Sequence, residues 1–146
     1  MPNKALTLLV GILTCAIAAI AADKKPDKKP DKKPDISKLP PPAAKTGLTW
    51  DKDIKPIVDK SCGKCHGGEK PKSKYRVDTL ANFIKGGESD EKAVVAGKST
   101  ESLVVLYTAD LVEDMEMPPT DKRDKYPPLT KDQIALLRAW IDQGAK

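Results

Sequence analysis

The pattern of apolar and polar positions changes twice along the chain. Ala5 to Ala22 is an almost unbroken apolar run, interrupted only by Thr7, Thr14 and Cys15. From Asp23 to Pro34 the pattern gives way to three copies of Asp-Lys-Lys-Pro, followed by Asp35 and then Pro40-Pro41-Pro42. Helical periodicity begins near Leu48. Trp50, Ile54, Ile57 and Val58 fall on one face of a helix that starts near Thr49 or Asp53 and runs to about Lys60. With Asp53 as its N-cap, Pro56 lies in the first turn, where a missing amide costs nothing. Thr79 to Lys85 predicts a short helix closed by Gly86-Gly87, and Thr100 to Ala109 another, capped by Ser99. Val94-Val95 is at most a short extended piece. The last helix has the clearest local signals: a capping box of Thr130 and Gln133, and a hydrophobic staple of Leu129 and Ile134. Ile134, Leu137, Trp140 and Ile141 form its buried stripe, and Gly144 stops it. The expected fold class is mainly α, a small helical domain with long loops.

These patterns divide the chain into residues 1–22, a signal segment; 23–47, a disordered spacer rich in Lys, Pro and Asp; and 48–146, the folded domain. Charge follows the same division. The 146 residues carry a net +5 and a pI near 9.0, which taken alone suggests a basic domain. From Gly47 onward, however, basic and acidic side chains balance at 17 each. The basicity belongs to the head of the chain, and a nucleic-acid partner loses its electrostatic basis.

The apolar head reads as a secretory signal, with Ala19-Ile20-Ala21 as the small-residue cleavage site. An uncleaved membrane anchor and a lipoprotein modified at Cys15 are the alternatives. Lys24, Lys25, Lys28 and Lys29 beyond the apolar run disfavour the anchor, because such charges tend to hold their flank in the cytoplasm. All three readings place the domain outside the cytoplasm, periplasmic or secreted. The Asp-Lys-Lys-Pro repeats can build no core and read as a semi-rigid stalk.

The domain's large side chains are few: the whole chain has one Phe, two Trp and three Tyr. A small domain short of such side chains needs something further to stabilise it. The candidate is Cys62-Gly63-Lys64-Cys65-His66, which contains the chain's only histidine. A structural zinc site needs four Cys or His ligands, and the domain supplies three. A thioredoxin-type dithiol needs a βαβ context that the sequence lacks. A disulfide across so short a loop leaves the adjacent histidine unexplained. Covalent attachment of one c-type haem explains every residue: two thiols on one helical turn reach two vinyl groups, and His66 follows as the proximal iron ligand. Gly63 keeps the turn slim, and Gly67-Gly68 lets the chain leave it.

Thioether sulfur is a common sixth ligand. The domain offers Met115 and Met117, both in the acidic loop Glu113-Asp114-Met115-Glu116-Met117-Pro118-Pro119. Met117 is preferred, because Pro118-Pro119 stiffens the backbone that presents it.

Together, Trp50, Asp53 to Ile57, Cys62 to Gly67, Arg76 to Thr79, Gly86-Gly87, Ser102-Leu103, Met117-Pro118-Pro119, Leu129 and Trp140 to Ala145 resemble the cytochrome c-like domain widespread in planctomycetes and their relatives. The resemblance implies a class I cytochrome c-type fold, with the first and last helices crossing near the haem and axial ligation by His66 and Met117.

With both axial positions filled, no open site remains for substrate. The expected function is therefore electron transfer between redox partner proteins rather than catalysis. The alternative is a haem enzyme subunit or ligand sensor with a labile sixth position. A lysine stalk or retained signal segment would tether the domain to a surface or membrane. Residues 48–86 sum to +4, residues 87–121 to −7 and residues 122–146 to +3, a polarity suited to orienting a redox encounter.

Overall fold

The computed structural model describes residues 33–89 and 91–146. The expected signal segment 1–22 and residues 23–32 of the spacer lie outside the described residues. Five α-helices, α1 (Lys55–Ser61), α2 (Gly63–His66), α3 (Leu80–Lys85), α4 (Leu103–Thr108) and α5 (Lys131–Asp142), are joined by loops and single helical turns. No strand occurs among the described residues, and the mainly α expectation holds. No helix among them is long and apolar enough to cross a membrane.

The first helix departs from the expected form. Trp50–Ile54 is a π-helical turn that runs into α1, and the Lys55 amide donates to the Trp50 carbonyl five residues back. Pro56 explains the wide turn: its ring has no amide and would collide with the carbonyl four residues earlier in a regular α-helix. Asp53 is not the N-cap. Its carboxylate reaches back to accept the Thr49 amide at 2.9 Å, so Thr49 opens the element.

α5 forms as its local code predicts. The Gln133 amide donates to Thr130 Oγ1 at 3.2 Å, and the Thr130 amide donates to Gln133 Oε1 at 2.9 Å, completing the capping box. Leu129 and Ile134 are both buried at its start. Thr79 caps α3 through its hydroxyl, and Gly86 ends that helix in a left-handed conformation, φ 93°. Ser99, by contrast, does not cap a helix from Thr100 to Ala109. It opens a separate 3-10 turn, Ser99–Glu101, and α4 starts after Ser102. The Ser99 amide and hydroxyl both donate to the Asp142 carboxylate, at 2.8 and 3.0 Å, tying this turn to the end of α5.

The core is built where the π-turn, α3 and α5 meet. Trp50 lies 4.9 Å from Phe83 and 5.9 Å from Trp140 between ring centroids. Phe83, Trp140 and Ile141 are fully shielded from solvent. Burial of each such side chain contributes about 1.5–3 kcal/mol. The Trp140 indole donates to the Lys146 carbonyl at 2.9 Å, and the Trp50 amide donates to that same carbonyl at 3.2 Å. The first element and the C-terminus are thereby joined.

Residues 39–45, assigned to the spacer by their composition, are held against α5. Leu39 is buried in the core, and the Ala43 amide donates to the Ala135 carbonyl at 2.9 Å. Gln143 donates to the Lys45 carbonyl, and buried Arg138 donates both to the Pro40 carbonyl and to Ser99 Oγ. Proline has no amide to donate, and the Pro40 and Lys45 carbonyls of this strap are met by the side chains of Arg138 and of Gln143, the C-cap of α5.

Candidate functional site

The Cys62-to-His66 motif occupies a single turn directly after α1. The Cys62 amide donates to the Val58 carbonyl at 2.8 Å, while the Cys65 and His66 amides both donate to the Cys62 carbonyl, at 3.1 and 2.9 Å. This wrapping turns both thiols and the imidazole onto one short element. Both cysteines are half-buried free thiols. Burial pushes the Cys62 thiol up to about 12, with nearby Cys65 and Asp59 adding to the shift. A thiol held protonated in this way is unlike the activated thiolate of a redox dithiol.

The His66 ring is fixed from the far side. Its Nδ1 lies 3.2 Å from the Lys72 carbonyl, which can only accept, so Nδ1 carries the proton. Nε2 is then the nitrogen with a free lone pair. Burial lowers the imidazole's affinity for a second proton, opposed by its backbone hydrogen bonds, which keeps the ring neutral at neutral pH. The Tyr75 ring stands 5.2 Å from the imidazole, and its hydroxyl donates to the Phe83 carbonyl at 3.1 Å. The site is therefore anchored to the aromatic core. Gly67 is required by close approach: a Cβ there would meet the Gly63 carbonyl oxygen at 2.5 Å. A Cβ on Gly63 itself would touch no protein atom within 4 Å.

These residues fit a covalently attached haem. Two thiols are available for thioethers, and a neutral imidazole with a backbone-bonded Nδ1 has its other nitrogen ready for iron. Among the described residues, no group of three or more His, Cys, Asp or Glu side chains is arranged to hold a metal ion.

The methionine loop follows α4. Met115 and Met117 are both half-buried, and the Met117 amide donates to the Tyr107 carbonyl at 3.0 Å. The Met117–Pro118 peptide is cis. After Pro119 the chain makes a 3-10 turn, Thr120–Lys122, which brings Lys122 within electrostatic reach of the Cys65 thiol and Asp121 within reach of Lys72. The loop's far end thus returns to the attachment motif.

Three contributors were not legible from local pattern. The Lys72 carbonyl is backbone and has no side-chain signal. Tyr75 had only its aromatic character to mark it. Arg123 donates to Asp110 through two bonds and to the Pro118 carbonyl at 3.1 Å, closing the methionine loop across thirteen residues.

Residues 62–121 match the family model described as Planctomycete cytochrome C. This segment is a cytochrome c domain of the planctomycete type. Such a domain implies haem-based electron transfer with covalently attached haem c, is typically an electron carrier, and generally works outside the cytoplasm. No curated protein matches the chain. Among solved structures, a chain of Kuenenia stuttgartiensis hydrazine synthase is similar at 22% sequence identity and a TM-score of 0.44. The similarity covers 67% of this chain and 16% of that one.

Proposed function

We propose that this protein is a monohaem electron carrier, periplasmic or secreted, with haem bound through Cys62 and Cys65 and iron between His66 Nε2 and Met117 sulfur. The observation that carries this reading is the His66 geometry: Nδ1 is committed to the Lys72 carbonyl, which leaves Nε2 uncommitted on the same turn as two free thiols. The bound group would supply a reversible one-electron couple. The chain's own residues orient the imidazole, hold the thioether loop and exclude water with Tyr75 and the aromatic core. Met117 is favoured over Met115 by the brace that Arg123 places on the following Pro118.

The partner surface is argued from unpaired charge. Lys60, Lys64 and Lys70 are exposed near the attachment motif and form no salt bridge to a carboxylate among the described residues. A redox partner presenting an acidic patch would be steered to this face. The site test is spectroscopic. Ferric protein should be low-spin, with the weak long-wavelength band of methionine ligation, and Met117→Ala should abolish that band while Met115→Ala keeps it. A high-spin ferric spectrum with rapid carbon monoxide binding by the ferrous form would instead establish a labile sixth position.

A further inference from the structure

The hydrogen bond from His66 depends on where the Lys72 carbonyl is held, and that position is set from outside the motif. Lys72–Lys74 is a tight turn whose second and third residues are left-handed: Ser73 at φ 50° and Lys74 at φ 54°. Neither is glycine, so the turn requires external support. The support comes from the segment after α3. The Glu88 amide donates to the Ser73 carbonyl at 2.9 Å. Gly87 lies flat against the same turn: a Cβ there would meet the Ser73 carbonyl oxygen at 2.5 Å and the Tyr75 Cβ at 3.1 Å. On the solvent side, Lys74 and Glu88 approach to 3.7 Å. Beyond the turn, the Val77 amide donates to the His66 carbonyl at 3.1 Å, so the loop is fastened at both ends to the histidine it serves.

We propose that the Ser73–Lys74 turn and the Gly87-Glu88 segment form a clamp that fixes the Lys72 carbonyl on His66 Nδ1, making Ser73 and Gly87 positioning residues for the axial ligand. The proposal rests on the haem reading above. A carbonyl drawing on Nδ1–H makes Nε2 a stronger donor, and a stronger donor favours ferric iron. Loosening the clamp therefore raises the midpoint potential without detaching the group, because the clamp residues lie outside the Cys62-to-His66 turn that carries the attachment.

The test uses the full chain as secreted. Ser73 is exposed, so Ser73→Val strains the left-handed turn without disturbing the core, whereas Ser73→Asn tolerates the same φ. Ser73→Val and Gly87→Ala should raise the midpoint potential. They should also speed exchange of the His66 Nδ1 proton about tenfold, the scale of one weakened hydrogen bond. Ser73→Asn should change neither. Unchanged exchange and potential in folded Ser73→Val would overturn the clamp. Intact mass separately reports whether haem is present. If it is absent, the functional reading fails while ring-nitrogen shifts of His66 still decide whether the clamp holds its tautomer.

Discussion

Arg123 and Asp110 face each other in a two-point pairing, Nη1 to Oδ2 at 2.9 Å and Nη2 to Oδ1 at 2.6 Å. The Arg123 Nε completes the brace by donating to the Pro118 carbonyl. Planar two-point pairing of this kind fixes direction as well as distance. Here it locks the base of the loop bearing Met115 and Met117. The side chains are 26% and 43% exposed, so the global stability at stake is small, about 0.5–1 kcal/mol. The local effect is larger in kind. Arg123→Lys keeps the charge but loses the fork, and should weaken the methionine band and speed carbon monoxide binding with little change in denaturation midpoint. An unchanged spectrum and unchanged binding kinetics would remove the brace from the account.

Arg138 is buried and joins three parts of the chain: its own helix α5, the Pro40 carbonyl of the strap and the Ser99 hydroxyl. Arg138→Met leaves that carbonyl and hydroxyl without their donor, at a cost of about 1–3 kcal/mol. Residues 39–45 should then become sensitive to trypsin at Lys45, and chemical denaturation should report the stability loss. A strap as protease-resistant as the parent would contradict the packing role.

Phe83 has no exposed surface and contacts both tryptophans through its ring, at 4.9 and 6.2 Å. Phe83→Ala opens a cavity under the Tyr75 anchor and should cost about 3–5 kcal/mol by denaturant titration. Because the Tyr75 hydroxyl bonds the Phe83 backbone carbonyl and not its side chain, the His66 environment should suffer less than the core.

Acid should destabilise the protein through specific carboxylates. Lys45 and the Thr49 amide hold Asp53 below its ordinary value of 3.8, and the Arg76 guanidinium with the Asn82 amide holds Asp78 well below it. Folded-state values below the unfolded ones mean a contribution that is complete above pH about 4 and is lost as the pH falls toward those folded-state values. Denaturant midpoints taken from pH 5 downward should therefore fall, and Asp78→Asn should flatten that fall. Parallel curves for parent and variant would refute the assignment.

The parts of the fold legible in the sequence are those whose causes are local. Thr130 and Gln133 cap each other three residues apart, and the structure shows both bonds. Thr79 and Gly86 bound α3 for equally short-range reasons. Ser99 offers the contrary case: its composition reads as a helix cap, but its partner is Asp142, 43 residues away. Of the two starts that the sequence offers, Thr49 and Asp53, the structure takes Thr49, because Pro56 widens the turn that precedes it. Leu39 to Lys45 have the composition of a linker, and the hydrogen bonds that hold them run to α5 and its C-cap: Ala43 donates to the Ala135 carbonyl, and Arg138 and Gln143 donate to the Pro40 and Lys45 carbonyls. At the site, Cys62, Cys65 and His66 are legible because spacing alone places them on one turn. The Lys72 carbonyl and the Arg123–Asp110 brace are not, because each depends on tertiary approach.

The central claim is covalent attachment of one haem through Cys62 and Cys65. Intact-mass measurement on the protein exported to a periplasm that matures c-type cytochromes tests it most directly. The account predicts the chain mass plus one haem, lost when both cysteines are replaced by serine. A chain mass without that addition, whether as two thiols or as a disulfide lighter by two hydrogens, would contradict it.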